Sequence, residues 1–130
     1  MDALKRLSAA LAIAAAPLAT SAHETGLSTF YEACMGKSGA TTMDMIGCIT
    51  AENQRQDTGL NKAYKVLMAQ LPPPRKAQLQ GAQRAWIKYR DANCAFYDDP
   101  DGGTLARVNA NTCVMTATAE RARELERLRQ

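Results

Sequence analysis

The chain is 130 residues long, with 16 Lys+Arg against 13 Asp+Glu, four Cys, one His, one Trp, four Tyr and two Phe, which is the material of one domain. A formal charge of +3 is too slight to demand a nucleic-acid partner. A single His excludes a zinc site built on two or three histidines and leaves Ser-His-Asp chemistry hanging on one residue, so the composition leans away from an enzyme.

Residues 1–22 read as a removable secretory leader. Lys5 and Arg6 precede an apolar run from Leu7 to Leu18, and Thr20 and Ala22 supply small residues at positions −3 and −1 of a cut before His23. The run is shorter than the roughly 20 residues that span a bilayer, and Pro17 interrupts it, which disfavours a permanent anchor. No Cys lies near the cut to carry a lipid. The expected mature domain is therefore 23–130, periplasmic or secreted. In an oxidising compartment an even set of cysteines, Cys34, Cys48, Cys94 and Cys113, predicts two disulfides. None is spaced like the close C-x-x-C pairs of a zinc site, and none is left over as a reactive thiol.

Leu27, Phe30, Tyr31 and Cys34 fall at i, i+3, i+4 and i+7, which predicts a short first helix between His23 and Met35. Gly36-Lys37-Ser38-Gly39 ends it. Thr41 or Thr42 then caps a long second helix, with Asp44 in its first turn. Met45, Ile46, Ile49, Leu60, Ala63, Tyr64, Leu67, Met68 and Leu71 keep helical spacing along it, and Gly59 is its weak point.

Leu71-Pro72-Pro73-Pro74 stops that helix, because proline removes donors and forces the preceding residue out of the helical region. Pro74 suits the first position of a third helix, whose stripe is Leu79, Ala82, Trp86, Tyr89 and Asn93. Asp98-Asp99-Pro100-Asp101-Gly102-Gly103 is a turn by composition. Thr104 is placed to cap a fourth helix through Leu105, Val108, Met115, Thr118, Ala122 and Leu125. No stretch alternates like a strand, so the fold is all-α: a small disulfide-stapled bundle of about four helices, one short and three longer antiparallel.

Four cysteines allow three pairings. Short turns would bring Cys34 to Cys48 and Cys94 to Cys113, and this sequential pairing is preferred. Cys48 with Cys94 also stays open, since the second and third helices turn back at the prolines.

Cys48, Asp57, Leu60-Asn61, Tyr64 and Leu67, then Leu79, Gln83, Trp86, Arg90-Asp91 and Cys94, then a Gly-Gly loop, Cys113, Thr118, Arg121 and Leu125 together resemble the LprI-like lysozyme-inhibitor domain family. Gln83-x-x-Trp86-x-x-x-Arg90-Asp91-x-x-Cys94 is the most specific stretch, and the resemblance runs from about Cys34 to Leu125. It implies a small exported helical domain of a family in which one branch inhibits lysozyme. It also implies an early and a late cysteine pair, Cys34 with Cys48 and Cys94 with Cys113.

Two groups of residues compete for a functional role. Tyr64, Trp86, Arg90 and Asp91 could make a sugar- or partner-binding surface, yet Tyr64 and Trp86 sit on core stripes. They read better as structural core, with Trp86 buried and Arg90 hydrogen-bonded to Asp57 or Asp91 to tie helices. Asp98, Asp99 and Asp101 form the best partner-binding candidate, an acidic loop stapled nearby by Cys94 and Cys113 and suited to a basic lysozyme surface. The alternative is an ordinary solvated turn. A hand-type calcium loop begun at Asp99 would have Gly103 at its fifth position and Ala110 where a bidentate Glu belongs. Met43 and Met45 with His23 offer soft copper ligands but read as core filler. Arg121, Arg123, Arg127 and Arg129 interleave with Glu120, Glu124 and Glu126 as self-paired helix surface.

No catalytic set, cofactor or metal is expected. The expected role is that of a non-catalytic exported binder that blocks lysozyme or a similar wall hydrolase. The alternative is an envelope structural or interaction module with no effect on lysozyme.

Overall fold

The computed structural model describes residues 26–39 and 41–129. The leader expected over 1–22 and the expected mature terminus at His23 lie outside the described residues. Four helices follow in chain order: α1 (Thr29–Lys37), α2 (Thr42–Gln70), α3 (Pro73–Ala95) and α4 (Gly103–Arg127), and among the described residues there is no strand.

The first two helices start where a hydroxyl supplies a partner for an orphan donor. Ser28 caps α1, its hydroxyl accepting from the Tyr31 amide at 3.2 Å. Thr41, rather than Thr42, caps α2 through the Asp44 amide and donates to the Asp44 carboxylate at 2.6 Å. That helix runs unbroken through Gly59 to Gln70. Leu71 is pushed into an extended conformation ahead of Pro72. α3 begins one residue earlier than the sequence implies, with Pro73 and Pro74 in its first turn, where their missing donors cost nothing.

At α4 the expected cap is replaced. Gly102 is the N-cap, with no side-chain bond, and Gly103 has φ of +63°, a left-handed value that favours glycine. Thr104 thus lies inside the helix, its hydroxyl 3.3 Å from that of Thr42.

That contact puts the start of α4 beside the start of α2. At the far end Leu60, Ala63 and Leu67 of α2 cluster with Ala122 and Leu125 of α4, while Ile49 clusters with Val108 and Met115 nearer the start. The two helices therefore run parallel, and theirs is the most extensive interface in the molecule. Small residues, Ala63, Ala106, Ala119 and Ala122, are buried along it and let the backbones approach.

α3 returns antiparallel between them in sequence and packs chiefly on α4. Its only fully buried residue is Cys94. α1 runs antiparallel to α2 and is joined to it by Cys34–Cys48, with Cα atoms 5.7 Å apart. Cys94–Cys113 joins α3 to α4 at 5.4 Å. The sequential pairing is the one formed, and closing loops of 14 and 19 residues contributes about 3 kcal/mol each on the chain-entropy argument.

Candidate functional site

The connection between α3 and α4 is a short, self-bonded knob at the end of the bundle where α2 and α4 begin. The Tyr97 and Asp98 amides donate back to the Cys94 and Ala95 carbonyls, both at 3.1 Å, and the Gly102 amide donates to the Asp99 carbonyl at 3.0 Å. Asp99 also accepts from the Asp101 amide through its side chain at 2.9 Å, the local bond that makes aspartate a turn residue. A side chain at Gly102 would collide with Ala106, so the turn closes tightly on the helix it feeds. With Cys94 buried and disulfide-bonded at its base, the knob is pre-organised.

Asp98, Asp99 and Asp101 are all exposed on this knob, and none forms an ion pair among the described residues. Beside them stand two aromatic rings that the sequence reading passed over. Phe96 is 86% exposed and Tyr97 48%. Their rings meet edge to face at 6.2 Å, a favoured arrangement for an aromatic pair. Leu105, in the first turn of α4, is exposed as well. The site thus combines carboxylates with uncovered apolar surface on a rigid support. The same carboxylates precede the N-terminus of α4, where the helix dipole favours negative charge; that accounts for aspartate in the turn but not for Phe96 facing solvent.

The expected core residues divide. Tyr64 and Trp86 both lean on the Leu60–Leu125 cluster, yet Trp86 is only partly buried, because α3 lies at the edge of the helix pair rather than between its members. The Arg90 and Arg121 guanidiniums sit 5.1 and 5.8 Å over the Trp86 ring. Arg90 does tie two helices, donating to Thr118 of α4 at 3.3 Å. Its other partner is the adjacent Asp91 at 2.8 Å. Asp91 is exposed, so it belongs to the surface and not the core. Asp57 likewise stays on its own helix, accepting from Asn61 at 3.1 Å. Arg121 completes the α3–α4 seam through Gln83 at 3.0 Å and pairs along its own helix with Glu124 at 2.7 Å.

One residue with a decisive structural role was missed. Glu52 is completely buried. Its carboxylate accepts from the Ser28 amide at 2.8 Å, the Ser28 hydroxyl at 2.5 Å, Gln56 at 2.7 Å and Arg55 at 3.2 Å. Burial pushes its pKa up, but the bonds from Ser28, Gln56 and Arg55 outweigh that and hold it below the ordinary glutamate value. Burial, with the Glu52 charge adding to it, raises the Tyr31 phenol above 10. The available signal was a charged residue at i+3 from Ile49, on the apolar stripe of α2.

Residues 34–125 match the family model described as "Lysozyme inhibitor LprI". A relative described as "Uncharacterized protein R02472" of Rhizobium meliloti (strain 1021) is 27% identical over 106 residues, covering 71% of this chain and 76% of its own. No solved structure matches. The family and the two disulfides fit an extracytoplasmic location, and among the described residues no helix is long and apolar enough to cross a membrane.

Proposed function

The chain belongs to the LprI lysozyme-inhibitor family, and from that premise we propose that it is an exported, non-catalytic protein that binds and blocks lysozyme or a related wall hydrolase. The observation that carries this reading beyond the family is the stapled knob, with Phe96 and Tyr97 exposed beside Asp98, Asp99 and Asp101. Aromatic side chains on a pre-organised loop are the usual anchors of a tight interface. A chain of net charge +3 has no long-range pull on a basic enzyme, so attraction must come locally from the three aspartates, acting within about 8–10 Å.

Glycosidases hold a carboxylate pair in the cleft, which repels aspartates. In this reading the aspartates meet the basic rim of the enzyme, and the uncharged Phe96 ring is the part suited to the sugar-binding cleft. The leader over 1–22 would deliver the protein to the compartment where the hydrolase acts. Lysis of bacterial walls by lysozyme, with and without the purified protein, tests the proposal. Inhibition that saturates near one protein per enzyme is the expected result. Undiminished lysis by a correctly folded protein would leave the envelope interaction module as the better description.

A further inference from the structure

A second recognition surface lies along the seam of α3 and α4, and of its residues Tyr97 alone belongs also to the lysozyme-binding knob. Two adjoining clefts of about 640 and 490 Å³ share Tyr89, Ala117 and Glu120 and form one continuous groove, within the size range of small-ligand sites. Its α3 wall presents Trp86, Tyr89 and, past the helix end, Tyr97; its α4 wall presents Asn109, Thr112, Thr116 and Glu120. Arg127 closes the Trp86 end.

The chemistry of these walls is specific. Tyr89 is 66% exposed and Tyr97, two residues past the end of α3, is 48% exposed. Between and opposite these rings, the side chains of Asn109, Thr112, Thr116 and Glu120 make no hydrogen bond among the described residues. Thr58 and Thr118 satisfy their hydroxyls on the carbonyls of Gln54 and Val114, four residues back, as helical threonines commonly do. Thr112 and Thr116 leave theirs available to the groove.

Separated aromatic faces flanked by unsatisfied hydroxyl, carboxamide and carboxylate groups match a sugar chain. Each pyranose offers an apolar C–H face and a rim of hydroxyl or acetamido groups. A helical peptide would need a row of aliphatic anchors, where this groove interleaves its rings with hydroxyl, carboxamide and charged groups, and a nucleic acid would need the arginines of the Trp86 cleft unopposed by Glu120 and Glu124. We infer that the α3/α4 groove binds a linear N-acetylated glycan of the bacterial-wall type, with a sugar carboxylate directed at Arg127.

Soluble glycan strands released from peptidoglycan are the probe, titrated by calorimetry in the absence of lysozyme. Trp86 is the only tryptophan, so its fluorescence reports occupancy of the groove. The expected result is saturable binding with a change in Trp86 emission. Tyr89→Ala should weaken it about tenfold or more, the scale of one lost aromatic contact, and Thr116→Val should weaken it several-fold. Both variants should keep the parent's unfolding midpoint, since Tyr89 is exposed and the Thr116 hydroxyl makes no internal bond. Replacing Asp98, Asp99 and Asp101 with Asn should leave glycan binding unchanged, which separates this site from the knob. No binding at millimolar glycan, or binding indifferent to both groove substitutions, overturns the inference whatever the protein does to lysozyme.

Discussion

The two stapled hairpins of this molecule use carboxylates in opposite ways. In the first, Cys34–Cys48 holds α1 on α2 and the Glu52 carboxylate turns inward, stripped of water and given four protein donors instead. In the second, Cys94–Cys113 holds α3 on α4, and Asp98, Asp99 and Asp101 turn outward into solvent beside two exposed rings. An ionised carboxylate is tolerable inside only where donors replace its hydration. The first hairpin is therefore built for cohesion, while the second leaves its charge and apolar surface unspent for a partner.

Removing the inward carboxylate should have the largest effect. Glu52→Ala leaves the partly buried Ser28 donors without a partner and opens a cavity where the buried carboxylate stood, and should cost about 2–4 kcal/mol in denaturant unfolding; a loss below about 0.5 kcal/mol would break the contrast. Because folding lowers the Glu52 pKa, its contribution is present above the unfolded-state value of about 4.3 and disappears as the pH falls through the folded-state value. The parent should lose stability on that acid limb, and Glu52→Gln should show a shallower one.

On the outward hairpin the expectation reverses. Phe96→Ala should leave the unfolding midpoint in place, since the ring is 86% exposed, while weakening inhibition of lysozyme by about tenfold, or 1.4 kcal/mol. A destabilised variant with full inhibition would make Phe96 a packing residue after all. The smallest change is expected from Asp98, Asp99 and Asp101 all replaced with Asn. Rim charges act on encounter, so stopped-flow association should slow several-fold and lose most of its salt dependence while dissociation stays the same. An unaltered on-rate would return the three aspartates to their role at the start of α4.

Helix existence was legible because apolar spacing, proline and capping hydroxyls act within a few residues of one another. Thr41 and Pro72 act in the structure through that local chemistry. The acidic turn was legible for the same reason, as a turn with three charges. Its aromatic pair was not, because Phe96 and Tyr97 directly follow the third helix and read as ordinary apolar residues until their exposure is known. Asp91 was misplaced on the same ground: its neighbour Arg90 reaches α4, but one residue along a helix rotates the side chain by about 100°, which carries Asp91 to solvent.

Sequence by itself determined four helices, their turns and, with the family resemblance, the sequential pairing of the cysteines, since each follows from contacts between residues near in the chain. Tertiary structure alone decided that α2 lies parallel to α4, that α3 is left at the edge with Tyr89 uncovered, and that Glu52 points inward. Those outcomes depend on which faces can approach closely across long separations. The small residues at 63, 106, 119 and 122 allow that approach between α2 and α4, whereas the bulkier stripe of α3 fits only against their flank.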